Sequence, residues 1–368
     1  MVALSTPYEY GDITVGELIP LFFRFVNLGL KFVYLTVTYP FNSTQYSLRR
    51  VLWRAFVQTI CPNSTLRQMQ WVCPRTGDLY EKYMQSQPGR PTVIHEDIGV
   101  EGASLHWIGP KSAENVMLFF HGGGYVLPAV EGHLSLVDFW RKEAKKRYGI
   151  NMSVAILEYS LSNHAPWPTQ LIQTIASLNH LLKEGYDPSN IILAGDSVGG
   201  HQVNFVLAHL IHPHPSVPAI KLAKPLAGAA MLSPWLSYAQ TAPSFTRNAK
   251  TDLLPVETLH AWSEQLVQTR RTTDDGFFFE PAFAPPEWWA GLGDVVRSVL
   301  FTTGSNECMF DDIVATAHRM GKGAGPEAKL DCFVQHGASH NEALVEFACG
   351  DEPGPTTERV TSWIDSVL

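Results

Sequence analysis

Asn190-Ile191-Ile192-Leu193-Ala194 runs straight into Gly195-Asp196-Ser197-Val198-Gly199-Gly200. The first five residues are an apolar run of the length a buried strand needs, and a helix is expected to follow through His212. A G-x-S-x-G pentapeptide is a modest signal by itself, because glycine and serine are common. Between a strand and a helix it predicts a tight turn that exposes the Ser197 hydroxyl as a nucleophile. A Cβ at Gly195 or Gly199 would crowd such a turn. The helix N-terminus adds free N–H groups and a favourable field for a developing anion. A glycine-rich turn with a capping serine is the plain alternative. No Gly-Lys-Ser/Thr follows, so a phosphate-binding loop is disfavoured.

A second glycine cluster stands upstream. His121-Gly122-Gly123-Gly124-Tyr125 follows the apolar strand Val116–Phe120. Successive glycines let backbone N–H groups face a ligand without obstruction, which suits an oxyanion site. His121 reads as loop support rather than as a base, and a flexible loop is the alternative. A nucleophilic serine also needs a base and an orienting acid. After a nucleophile turn of this kind the chain order is serine, acid, histidine. The last strand, Lys329–Gln335, leads to His336-Gly337-Ala338-Ser339-His340, and His340 is the preferred base over His336. The strand Val299–Thr303 leads to Gly304-Ser305-Asn306-Glu307-Cys308-Met309-Phe310-Asp311-Asp312. Glu307 is the preferred acid and Asp311 the alternative, with Asp311 and Asp312 expected to cap the next helix.

Between these points strands and helices alternate. Strands are expected at Met152–Tyr159 and Ala227–Leu232, and helices at Leu134–Tyr148, Thr169–Lys183, Asp312–Met320 and Thr356–Leu368. Such alternation predicts a mostly parallel sheet covered by helices on both faces. The alternation lapses over about 236–290, which reads as a lid insertion. Residues from about 1 to 100 read as helices and loops, including Ser47–Ile60 and Asp78–Gln85. They form an N-terminal cap ahead of a catalytic unit spanning 101–368.

The stretch Leu18–Phe41 is strongly apolar, interrupted by Arg24, Asn27 and Lys31, which share one helical face. This pattern fits a helix lying in a membrane interface and equally a cap helix over the body; two basic residues make a full span costly. The first 20 residues lack a signal-peptide pattern. An intracellular location is expected, with membrane association at residues 18–41, the endoplasmic reticulum included.

The net charge of −8 argues against nucleic acid as a partner. Five cysteines without a C-x-x-C pair read as free thiols, a Cys61–Cys73 bridge being the alternative. Asn42, Asn63 and Asn151 open glycosylation sequons, of consequence only in the secretory pathway. His212-Pro213-His214-Pro215 reads as a loop, and neither metal nor cofactor is expected.

With these residues in place the chain resembles the hormone-sensitive-lipase-like group of α/β hydrolases, marked by HGGG and GDSAG. The likeness runs from about 115 to 345. It implies the α/β-hydrolase fold with a helical cap, a triad of Ser197, Glu307 and His340, and an oxyanion hole of the Gly123, Gly124 and Val198 N–H groups. The group's D-P-L-x-D segment aligns with Glu307-Cys308-Met309-Phe310-Asp311, so glutamate replaces aspartate. Its G-x-x-H matches Gly337 to His340. Its Y-R-L-A-P-E is Tyr159-Ser160-Leu161-Ser162-Asn163-His164 here, without the arginine and glutamate. The Tyr-Ser-Leu form and the apolar N-terminus are closer to a fungal steryl acetyl hydrolase-like branch, many of whose members serve secondary metabolism. The implied activity is serine-dependent hydrolysis of a small apolar carboxylic ester through an acyl-enzyme. Acyl transfer or cyclisation of a biosynthetic intermediate, and a non-catalytic small-molecule-binding protein, are the rival readings.

Overall fold

The computed structural model describes residues 9–42, 46–270 and 275–368. Residues 1–8, residues 43–45, which include two residues of the first sequon, and residues 271–274 of the insertion lie outside the described residues. Eight strands form one sheet: β1 His95–Asp97, β2 Ser104–Ile108, β3 Asn115–Phe120, β4 Met152–Glu158, β5 Ile191–Asp196, β6 Gly228–Leu232, β7 Ser298–Gly304 and β8 Lys329–Gln335. Their order is β1-β2-β4-β3-β5-β6-β7-β8. From β4 to β8 every pairing is parallel, and β1 and β2 add an antiparallel edge.

The central strands are apolar runs because helices cover both faces. On β3, Val116, Leu118 and Phe120 enter one core layer, while Met117 and Phe119 enter the other. The helices Thr169–Lys183, Val198–Ile211 and Phe310–Ala324 close the first layer with Leu171, Phe205 and Met320. Glu131–Tyr148 and Pro355–Val367 close the second with Trp140 and Trp363. Because β3 to β8 run in parallel, their C-terminal ends share one edge, where an open α/β sheet holds its ligand.

Several elements depart from the sequence expectations. β1 falls within the first hundred residues, where helix and loop are expected, and β2 lies just beyond them without a strand expectation, because short half-polar strands carry little periodic signal. The helix expected at Asp312 begins at Phe310 after Met309, so Asp311 and Asp312 lie in its first turn rather than at its cap. There they still complement the helix dipole. All five cysteines lie among the described residues, and none is disulfide-bonded.

The N-terminal helix Val15–Thr38 starts at a capping box of Thr14 and Glu17. Its orientation is the unexpected part. Arg24 donates to Gln68 Oε1 at 2.6 Å and Lys31 to Thr59 Oγ1 at 3.2 Å, so these two charges face the body. Only Leu21 and Leu28 are buried. Phe22 is 62% exposed, Phe23 65% and Leu30 67%. Asn27, expected to share the polar face, is exposed on the outer one.

Candidate active site

The site forms where β5 turns into the helix Val198–Ile211. Ser197 sits in that turn at φ 53° and ψ −118°, a region that costs a non-glycine residue about 1–3 kcal/mol. The surroundings hold it there. Its N–H donates to Leu232 O at 2.9 Å, and its carbonyl accepts from Trp235 N at 2.9 Å. A Cβ on Gly199 would overlap the Phe120 carbonyl oxygen, and one on Gly195 would stand 2.5 Å from the Gly199 carbonyl. These two glycines let the turn lie against the end of β3.

The candidate base and acid, His340 and Glu307, come from beyond the ends of β8 and β7. His340 Nδ1 lies 2.8 Å from Glu307 Oε2, both side chains buried. The other carboxylate oxygen of Glu307 accepts from Gly304 N at 2.8 Å, Ser233 Oγ at 3.1 Å and the Thr303 hydroxyl. Four donors thus hold the glutamate in one orientation. His340 Nε2 is buried without a partner among the described residues. Burial would lower the His340 pKa, but the Glu307 hydrogen bond and charge, then the Asp252 and Asp196 charges, raise it above its ordinary value. The alternatives stand elsewhere: Asp311 pairs with Arg247 at 2.7 Å on the surface, and His336 is exposed.

Opposite the base lies the glycine loop. Gly123 and Gly124 have φ of 109° and 64°. A Cβ on Gly123 would stand 2.7 Å from the Leu127 carbonyl oxygen, and one on Gly124 would enter the Trp262 ring. The N–H groups of Gly123, Gly124 and Val198 donate to no other group among the described residues. His121 is buried beneath the loop, stacked on Tyr159 with centroids 4.4 Å apart, its Nδ1 2.7 Å from Gly122 O. Burial, with the His133 charge, drops its pKa to about 4, which keeps it neutral.

Two carboxylates at the site are absent from the sequence reading. Asp196, inside the pentapeptide, accepts from Gly122 N at 2.9 Å and Asn341 Nδ2 at 2.7 Å, and lies 3.1 Å from His133 Nε2. It ties the glycine loop to the histidine loop. Burial opposes its charge, but His133, the Gly122 N–H and His121 outweigh burial and hold its pKa below the usual value. Asp252, from the insertion, accepts from His340 N at 2.9 Å and Cys308 N at 2.7 Å. Its position within G-D-S-V-G was a signal for Asp196; nothing local marks Asp252.

Ser197, His340, Gly123 and Gly124 open onto one cavity of about 330 Å³. Its walls are apolar. Trp53, Phe56 and Ile60 come from the helix Leu48–Ile60, Leu254 and Trp262 from the insertion, and Leu344 from the helix Glu342–Cys349. His212 Nε2 meets the Trp288 carbonyl at 2.8 Å and His214 meets Asp275 at 3.0 Å, so the two His-Pro histidines turn to different partners.

A family model described as alpha/beta hydrolase fold matches residues 117–341. The chain belongs to this α/β-hydrolase family. An acetyl-hydrolase of Streptomyces hygroscopicus is 26% identical to it over 58% of this chain and 65% of the relative. An esterase of Acinetobacter venetianus is 26% identical over 61% of this chain and 68% of the relative. The chain therefore spans about two thirds of the length of these curated relatives. Among solved structures, an esterase from the bacterial hormone-sensitive lipase family is similar at a TM-score of 0.60 and 25% identity. That likeness covers 88% of this chain and 98% of the other. The family-model match to this α/β hydrolase thus takes in the sheet from β3 onward with its strand-end loops, while the structural likeness reaches beyond it to 88% of the chain.

Proposed function

We propose that this α/β hydrolase cleaves carboxylic esters of apolar small molecules, with Ser197 as nucleophile, His340 as base and Glu307 as the orienting acid. The observation that carries the reading is the strained Ser197 turn opening onto the same apolar cavity as a buried His340 that Glu307 holds at 2.8 Å. His340 takes the Ser197 proton through Nε2 as the oxygen attacks the ester carbonyl. The Gly123, Gly124 and Val198 N–H groups receive the oxyanion, an effect worth about 3–4 kcal/mol per donor in related chemistry. The imidazolium then protonates the leaving alcohol, and water releases the acid by the same route. An apolar metabolite ester of the kind secondary metabolism produces suits this lining, and the N-terminal helices and the 236–290 insertion act as its lid.

The test is hydrolysis of p-nitrophenyl esters of graded chain length. Ser197→Ala is expected to lower kcat by at least about 1,000-fold; equal turnover by that variant defeats the proposal. The imidazole must be neutral to accept the proton. Since its pKa is raised above 6.5, kcat/KM is expected to fall as pH drops through a value above 6.5, and a limb below 6.5 contradicts the assignment. The same raised pKa makes the His340–Glu307 pair stabilise the fold fully below the unfolded value, a contribution lost as pH rises through the folded one.

We also propose that the helix Val15–Thr38 seats in the surface of a lipid bilayer. Its outward residues, among them Leu18, Ile19, Phe22, Phe23, Val33 and Tyr34, are 39–66% exposed and carry no charge. They cover an arc of roughly 160° at 3.6 residues per turn, wider than the seam one partner helix would bury. Wild-type protein is expected to float with phosphatidylcholine–phosphatidylserine vesicles, and a Phe22→Ser/Phe23→Ser variant to remain in solution. Concentration-dependent dimerisation without flotation would assign the face to a second copy instead.

A further inference from the structure

The mechanism above leaves one buried carboxylate of the site without a task. Asp252 is 2% exposed and lies in the lid insertion, 88 residues ahead of His340 in the chain. Its Oδ1 accepts from the N–H of His340 at 2.9 Å and of Leu253 at 2.7 Å, and its Oδ2 from the N–H of Cys308 at 2.7 Å. One carboxylate therefore touches the main chain of the base and of the residue after the acid.

The same turn holds the other side of that peptide. Asn248 Nδ2 donates to the Glu307 carbonyl at 2.8 Å and to the Ser305 carbonyl at 3.1 Å. The peptide group joining Glu307 to Cys308 thus has its C=O bound by Asn248 and its N–H by Asp252. With both ends held, rotation of the Glu307 backbone is blocked, and its carboxylate stays aimed at His340. The turn is itself anchored from the N-terminal helices. Arg54, on Leu48–Ile60, donates to the carbonyls of Thr251 at 2.9 Å, Lys250 at 3.2 Å and Asp252 at 2.8 Å.

We infer that Asp252 is a positioning residue that sets the spacing of acid and base by binding both of their backbones, and that Arg54 extends this hold to the N-terminal helices. The inference rests on the triad reading above. Its physical basis is that a carboxylate accepts at both oxygens, whereas an amide of the same shape accepts at one and presents a donor at the other. Asp252→Asn must therefore set an N–H₂ either against the Cys308 N–H or against the His340 and Leu253 N–H groups, and so release either the acid's loop or the base. Asp252→Ala releases both. A displacement of about 1 Å at such a site costs on the order of 100-fold in rate.

The experiment measures kcat and KM on p-nitrophenyl butyrate for wild type, Asp252→Asn, Asp252→Ala and Arg54→Met. It also records the low-field ¹H resonance of the His340 imidazole proton that faces Glu307. Expected is a kcat loss of about 10-fold to 100-fold in Asp252→Asn and more in Asp252→Ala, with KM changed less than about two-fold. The low-field resonance should shift or vanish in both. A role confined to stability would lower the melting temperature and leave kcat and the resonance of the folded fraction alone; that result overturns the inference. If neither Asp252 variant folds, Arg54→Met decides, because Arg54 bonds only carbonyls of the turn and leaves no buried carboxylate unpaired. Wild-type kcat and resonance in that variant overturn the inference, and a lowered kcat at constant KM supports it. Absence of ester turnover by wild type would defeat the functional reading, while the resonance comparison would still judge the role of Asp252.

Discussion

Two apolar helices of this α/β hydrolase meet opposite fates. Val198–Ile211 contains no Lys, Arg, Asp or Glu, and 12 of its 14 residues are buried between the sheet and the lid. Val15–Thr38 is also strongly apolar, yet 2 of its 24 residues are buried. Composition does not separate them. Their surroundings do. The first helix leaves β5 through a turn that forces it back onto the sheet, where His201 meets Tyr125 OH at 2.8 Å and the Phe278 carbonyl at 3.0 Å. The second has no strand to bind it, and it meets the body through Leu21 and Leu28 and through hydrogen bonds of Arg24, Lys31 and the Glu17 carbonyl. An apolar face buries itself only when the chain supplies a matching surface, and here that surface takes in two leucines and two basic side chains and leaves the wider apolar face uncovered.

This contrast can be broken by substitution. Phe205→Ala, in the buried helix, should cost about 3–5 kcal/mol in urea unfolding because the cavity cannot collapse against the sheet. A loss below about 1 kcal/mol would show that the Phe205 ring is not enclosed, and the contrast with Val15–Thr38 would collapse. Arg24→Met should cost about 1.5 kcal/mol, the low end for a hydrogen bond made by a charged group. Phe22→Ala with Phe23→Ala should change stability in solution by less than about 0.5 kcal/mol, since both rings are exposed. A larger loss would show that the outer face packs against protein, and the lipid proposal would fall with it.

The strand-end geometry was largely legible because its determinants are local. Gly195 and Gly199 flank Ser197 within one turn, and the three glycines after His121 follow one strand. His340 and Glu307 are legible through chain order, as each lies just beyond an apolar strand. Their mutual distance is a different matter, since 33 residues separate them. Asp252 was not legible. It acts by accepting backbone N–H groups from residues 56 and 88 positions away, and any residue type offers such a group, so no pairing of side chains betrays it. The β1–β2 edge was hidden for a related reason. Ser104-Leu105-His106-Trp107-Ile108 is short, and it is held by pairing with β4 rather than by its own pattern.

By itself the sequence determined the alternation of strands and helices, the two glycine turns and the chemistry of the groups placed at strand ends. It also determined that Arg24 and Lys31 share a face of one helix. Only the tertiary structure decided that this face turns inward, that Asp252 binds the backbone N–H groups of both His340 and Cys308, and that Trp53 and Trp262 from distant segments close one cavity. The division follows from range. Turn and strand preferences arise from sterics and burial within a few residues, whereas the side of a helix that meets protein depends on surfaces that exist only after the sheet has formed.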